Sequence, residues 1–483
     1  MAKFNKKNLI GIILFIITII AIAFFNEALA VGIIFIGLLT VITFLILSKT
    51  KIKSKTIYLL FLIILLIYLG VVLFVYYANF QPFSGGEGDY IKYNYQAQEI
   101  AQRIHQGNFS LEGLKIGHYY PVIIGYIYAF TLPEMLVGRL FTVWLAAISV
   151  LFVYLIVLEI GGSKEWAFLI GLITAIYPSY LFWGSLLLKD TLVIPLVLAG
   201  LLLTLKLIKN FSWRNFVIFY IILGAVIHFR FYIGYSLLFT FIFCWLLLCK
   251  LQLKKKLIYG MIIIILLGFL PQFSDYGYYG FKTIKGYLNP KAITFYREAA
   301  YTSLSSPVAE APEAQVPKAQ ISKKMAIKTY VKEIVLKLFP NIKTESDGPI
   351  VHSSTIELKT EIDNPSSFLI NCLKSFIYVS LGPLPWQIQR YRQLFVLLET
   401  IPWYFLLFFI IKGAFITLKR KRIALPLLVF SIMSLGILAL YVSNFGIITR
   451  IRIPSFIALL CLIPLGFEKL KYIKIPFLNL RKD

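Results

Sequence analysis

Residues 58–90 read YLLFLIILLIYLGVVLFVYYANFQPFSGGEGDY. An apolar run gives way, with no basic flank, to glycines and two carboxylates, Glu87 and Asp89. The run is long enough to cross a bilayer, which takes roughly 17–25 apolar residues. The acids therefore stand where the chain leaves the membrane. Which side they face depends on the rest of the chain.

Working outward, the 483 residues are 59% hydrophobic and only 14% charged. A soluble domain is about 45–50% apolar and about 25% charged. Apolar runs recur along the whole chain, so the sequence is that of an all-α polytopic membrane protein. The first run, from Leu9, lacks a small-residue cleavage site and is followed at once by a second. The net charge of +26 does not point to nucleic acid, because most basic residues sit in short loops between apolar runs, as in cytoplasmic loops. Cys244, Cys249, Cys372 and Cys461 are scattered and show neither disulfide nor zinc spacing.

The hydropathy pattern places spans near 8–25, 30–47, 57–77, 133–158, 166–184, 191–208, 214–229, 232–249, 256–271, 393–411, 423–443 and 453–467, about 12 in all. The basic loops KFNKK, SKTKIKSKT, KLIKNFSWR, KLQLKKK and LKRKR and the tail KLKYIKIPFLNLRK then fall on one side. That side is assigned to the cytoplasm, with both termini, and the exception is EIGGSKEW, which is not basic. Two larger regions remain outside, 78–132 with GGEGDY and 272–367 with the Pro/Ala-rich SSPVAEAPEAQVPKAQ. The apolar stretch 368–385 is read as an interfacial or re-entrant piece, because a crossing there would turn LKRKR outward. The resulting division is an additional N-terminal transmembrane pair (1–56), a core with outer loop 78–132 (57–271), an extracytoplasmic region with interfacial helices (272–392), and C-terminal helices with a basic tail (393–483).

After Asp89, the residues Tyr90, Tyr93, Ala97, Ile100, Ala101 and Ile104 recur at helical spacing, opposite Lys92, Gln96, Glu99 and Arg103. This predicts an amphipathic helix on the outer membrane surface, ended by Gly107. Asp89 would serve as its N-cap, satisfying free backbone N–H groups. A catalytic base or metal ligand is the other reading, and both can hold. In extended chain Glu87 and Asp89 point to the same side.

GDYIKYNYQAQEIA, HYYPVIIGYIYAF, GRLFTVWLAAISVLFVYLI and YPSYLFWGSLLLKDTLVIPLVLAGLLL, over about residues 57–230, together resemble the GT-C type membrane glycosyltransferases. The nearest likeness is to the protein O-mannosyltransferase and aminoarabinose-transferase superfamily. The resemblance implies transfer of a sugar from a polyprenyl-phosphate carrier to an extracytoplasmic glycan, lipid or protein acceptor. It also implies a general base in the first outer loop, where Asp89 matches. Glu87 is the alternative, because GEGD separates two acids that many relatives place side by side. Asp190, opening the helix after KD, matches a second active-site acid. No cofactor is implied. A divalent metal on Glu87 and Asp89 is a lesser alternative, and no histidine metal motif is present.

The chemistry suits these residue types. An acceptor must lose a proton as it attacks, and a carboxylate can take it. The leaving phosphate needs cations. Lys189, Arg230, Arg390, Arg392, Arg450 and Arg452 fall outside near span ends, against the charge rule, and arginine's planar fork suits phosphate. Lys189, Arg230, Arg450 and Arg452 are therefore candidate substrate-binding residues, with His118 of GHYYP beside the site; lipid snorkelling and a structural histidine are the plainer readings. The expected function is lipid-carrier-dependent glycosyl transfer with inversion at the anomeric carbon. An O-antigen polymerase or ligase is the alternative, favoured by the large late loop. A transporter or flippase is disfavoured by the absence of repeat-like halves.

Overall fold

The computed structural model describes residues 20–49, 55–78, 88–114, 119–269, 365–384, 397–441 and 445–467. Among these the chain is helical, without strands. The expected first span, Glu87, His118, Arg390, Arg392 and nearly all of the late loop lie wholly or largely outside the described residues; of that span, 20–25 is helical.

The N-terminal half opens with α1 (Glu27–Ser48) and α2 (Lys55–Tyr77). α3 (Asp89–His105) and α4 (Tyr120–Phe130) follow, and then α5 (Met135–Glu159). α5 is the hub: it is buried nearly all round and packs on α1, α2 and α8 (Lys189–Lys209). α6 (Lys164–Ala175) and α7 (Pro178–Trp183) join α5 to α8. α9 (Trp213–Phe229), α10 (Phe231–Leu248) and α11 (Leu253–Phe269) complete this half. The C-terminal half comprises α12 (Pro365–Leu381), α13 (Leu397–Lys419), a 3₁₀ turn at Arg422–Ala424 running into α14 (Leu425–Tyr441), α15 (Phe445–Ile451), α16 (Ile453–Leu460) and α17 (Ile463–Gly466). α14 packs on α10, α12 and α16 and so joins the halves.

Seven of the described helices are long and apolar enough to cross a membrane: α1, α2, α5, α8, α10, α13 and 422–441. Shorter apolar helices are α4, α9, 369–381 within α12, and 453–466. The uncovered apolar side chains Leu369, Ile370, Leu373 and Ile377 line one side of α12, whose other side meets α14. Residues 368–381 of the stretch expected as interfacial thus form a helix packed against α14.

Two expected spans are interrupted. Residues 166–184 form α6 and α7, broken before Pro178, and the last expected span, 453–467, forms α16 and α17, broken before Pro464; a turn at Arg452, just ahead of that span, separates α15 from α16. Proline opens a helix easily but lacks the N–H that would continue one, which accounts for each break.

The amphipathic helix α3 forms with the expected inward residues Tyr90, Tyr93, Ala97, Ile100 and Ala101, joined by Asn94. Its main partner is α4, and the contact is close: a Cβ on Gly125 would lie 2.6 Å from Ile100 Cγ2 and 3.1 Å from the Ala97 carbonyl. Tyr128 of α4 donates to Asn94 Oδ1 at 2.7 Å in the buried seam. Arg139 of α5 lies under the rings of Tyr76 (5.5 Å) and Tyr90 (5.2 Å), which ties α2 and α3 to the hub.

The two ends of the bundle differ in charge. At the end reached by the C-termini of α5 and α8, Lys209 pairs with Glu159 at 2.7 Å. Lys421 Nζ comes near Gly161 at the same end. The carboxylates and arginines described next collect at the opposite end.

Candidate active site

Asp89 is the first residue of α3, and Gly88, in extended backbone, occupies the N-cap position. The expectation that Asp89 caps the helix is corrected: its carboxylate turns sideways and accepts from Arg450 Nη1 at 3.1 Å. Glycine tolerates the tight exit, since Tyr90 ring atoms lie 3.0 Å from where a Cβ would sit. Asp190 does not cap its helix either. Leu188 is the N-cap of α8, followed by Lys189 and then Asp190.

Asp190 lies buried at the centre of the site. Arg230 grips it with two parallel bonds, Nε to Oδ1 and Nη2 to Oδ2, both 2.8 Å. Arg450 Nε lies 2.9 Å from Asp190 Oδ2 without hydrogen-bond alignment. Arg450 thus spans the two acids, and its guanidinium stands 6.0 Å from the Trp183 ring centre. Arg230 holds its place because α9 ends and α10 begins on either side of it. Burial would lower its pKa, but the Asp190 carboxylate outweighs this and holds the guanidinium above its ordinary value.

Lys189 is buried beside this group and feels the charges of Arg230, Asp190, Arg450 and Asp89. Two arginines face two carboxylates, with Lys189 buried beside them, and guanidinium groups of this kind suit an anion such as phosphate. Tyr93, one turn along α3 from Asp89, faces the same group. Burial first, and then the Asp89 carboxylate, push its phenol well above the usual value, so Tyr93 stays a neutral donor at working pH. Asp89 is half exposed whereas Asp190 is 7% exposed, so the former can meet an incoming substrate.

Of the predicted site residues, Asp89, Lys189, Asp190, Arg230 and Arg450 come together from four parts of the chain. Arg452 does not join them. It is 2% exposed and gives Nη2 to Glu399 Oε1 at 2.6 Å. Glu399 also accepts from Tyr177 at 2.6 Å and from Ser179. Sequence reading missed this buried carboxylate, although a lone acid entering an apolar helix was a visible signal. Glu134, five residues before Arg139, is exposed whereas Arg139 is buried, and the two do not pair. Among the described residues no group of three or more His, Cys, Asp or Glu gathers to hold a metal.

Among the curated proteins no match to the chain is found. Residues 89–282, which carry α3 to α11 and with them Asp89, Lys189, Asp190 and Arg230, match the family model of the dolichyl-phosphate-mannose-protein mannosyltransferases, and the chain accordingly resembles the GT-C type membrane glycosyltransferases.

Proposed function

We infer that this protein is a multi-pass membrane glycosyltransferase that moves a sugar, mannose being the first candidate, from a polyprenyl-phosphate carrier to an acceptor outside the cytoplasm. The family match supports the enzyme class and the lipid-linked donor. The observation that carries the residue-level reading is the Asp89–Arg450–Asp190–Arg230 chain of ion pairs at one end of the bundle. Basic loops at the opposite end support an outward-facing site with both termini in the cytoplasm.

In this reading Asp89 is the general base. The acceptor's hydroxyl or amine loses its proton to an Asp89 carboxylate oxygen while its lone pair attacks the anomeric carbon. The bond from that carbon to the carrier's phosphate oxygen breaks, and the electron pair leaves with the phosphate. Arg450 and Arg230 take up the developing negative charge. One displacement with one base inverts the anomeric centre.

Asp190 holds the two arginines at the spacing a phosphate needs. Arg450 holds Asp89 when no substrate is bound, and a carrier phosphate competes for the same guanidinium. Donor binding therefore frees Asp89 for the acceptor. Lys189 stands beside the arginines as a further donor. Arg452, buried and held by Glu399 and by the Val379 and Gly382 carbonyls, has no part in holding the phosphate.

The test is transfer from radiolabelled polyprenyl-phosphate mannose by Asp89→Asn and Glu87→Gln variants made separately. Loss of about 10²-fold or more with Asp89→Asn supports the assignment. Full transfer by Asp89→Asn with loss in Glu87→Gln moves the base to Glu87. Full transfer by both removes the base from this loop.

A further inference from the structure

Arg450 and Arg452 are two residues apart, and two residues along a helix are separated by about 200°. They therefore leave the α15–α16 junction on opposite sides. Arg450 reaches Asp89 and Asp190. Arg452 turns into the protein, where Nη1 donates to the Val379 carbonyl at 3.1 Å and the Gly382 carbonyl at 2.6 Å. Its guanidinium stands 4.6 Å from the Phe456 ring centre, and that ring stacks on Trp403 at 3.8 Å.

Three helix interruptions meet at this point. Tyr177 and Ser179 come from the break between α6 and α7, Val379 and Gly382 from the end of α12, and Arg452 from the break between α15 and α16. An interrupted helix leaves backbone groups without internal partners, and in an apolar surrounding these must be met by side chains. Arg452 meets two carbonyls, and Glu399 holds Arg452 in place. Trp403 and Tyr404, one turn after Glu399 on α13, donate to the Ser380 and Leu381 carbonyls of the same α12 terminus. The junction that carries Arg450 is thus latched to three other helices by one buried ion pair.

We propose that Glu399 and Arg452 are positioning residues for transfer, acting through Arg450: the pair fixes the α15–α16 junction and so sets the reach of Arg450 to Asp89 and Asp190. The proposal rests on the role given above to Arg450. It adds Glu399, which lies far outside the stretch that matches the family model.

The experiment has a structural arm and a kinetic arm, both on the full chain in lipid nanodiscs. In the structural arm, Asp89→Cys and Arg450→Cys are paired and joined by a short bifunctional thiol reagent. Of the native cysteines, Cys244, Cys249 and Cys461 are buried and Cys372 is intermediate, and the single-cysteine variants serve as background controls. Adding Glu399→Gln should lower the yield of the joined product about fivefold or more, and adding Arg452→Lys should retain more of it. An unchanged yield with Glu399→Gln overturns the proposal. Glu399→Gln alone leaves a buried arginine without its carboxylate and risks misfolding. Glu399→Gln with Arg452→Gln leaves no lone charge and should show the same loss of yield.

In the kinetic arm, on the folded fraction, Glu399→Gln should raise KM for polyprenyl-phosphate mannose about tenfold and leave kcat within about threefold. A pair acting through Arg450 gives Glu399→Gln/Arg450→Gln no further loss beyond Arg450→Gln alone. Losses that multiply overturn the proposal, because a merely structural effect adds independently. If the joined product is lost as expected but Arg450→Gln itself leaves transfer intact, the pair still sets Arg450, and what falls is the phosphate role assigned to Arg450.

Discussion

Arg230 closes a two-toothed ion pair on Asp190, with both N–O distances 2.8 Å, at the one place where α9 ends and α10 begins. The pair is nearly sheltered from water, at 12% and 7% side-chain exposure. Breaking a buried pair by removing one partner costs about 3–5 kcal/mol where a charge is left uncompensated, and Arg450 still faces Asp190, so the cost here falls toward the lower end. Arg230→Gln should therefore lower the thermal unfolding midpoint strongly. Arg230→Lys keeps the charge but loses the planar fork, and should lose about half as much. Thermal scans of the purified protein in detergent check both, and equal midpoints for the two variants would refute the geometry.

The crossing of α3 and α4 makes a second prediction. Gly125→Ala would place a methyl 2.6 Å from Ile100 Cγ2, with the Ala97 carbonyl at 3.1 Å as a backbone limit behind it. Overpacking of this kind costs about 1–3 kcal/mol. Transfer should fall together with stability, because α3 carries Asp89. Ile100→Val in the Gly125→Ala background removes only Cδ1 and leaves the crowding Cγ2 and Cβ in place, so it should recover neither loss.

A third prediction concerns the seam between the same helices. Tyr128→Phe leaves the buried Asn94 oxygen without the 2.7 Å bond it now accepts. An orphaned buried acceptor costs about 1–3 kcal/mol, more than the net worth of the bond. Tyr128→Phe/Asn94→Leu, which removes both polar groups, should be more stable than Tyr128→Phe alone. Thermal unfolding of the two variants in parallel decides it.

The opposite end of the bundle supplies a control. Lys209 is 40% exposed where it meets Glu159, and exposed pairs contribute about 0–1 kcal/mol. Lys209→Ala should leave transfer unchanged and shift the unfolding midpoint by no more than a degree or two. A marked loss of transfer would mean that the two ends of the bundle are coupled.

Much of the fold was legible because the signals were periodic. The inward residues of α3 follow from helical spacing, and the apolar runs follow from length alone. The helix boundaries were less so. Asp89 was expected as a cap, but a cap is decided by one residue's backbone, and Gly88 takes that position. The breaks before Pro178 and Pro464 were visible as prolines but were read through, because hydropathy averages over a window. The site was legible in its residue types and not in its grouping. Arg450 and Arg452 looked equivalent, and only the facing of the α15–α16 junction sends one to Asp89 and the other to Glu399. Glu399 was overlooked because its partners lie 220 and 222 residues away in Ser179 and Tyr177, a separation no local pattern records.

The contact between Asp89 and Arg450 joins positions 361 residues apart. In terms of biosynthesis, a chain made from its N-terminus places Asp89 early and supplies Arg450 only with the last described helices. A ribosome-bound intermediate holds Asp89, Asp190 and Arg230 but not the residue that spans the two acids. The ion-pair chain therefore closes only after the C-terminal helices have docked, and a chain stalled before them carries the acids with an open flank.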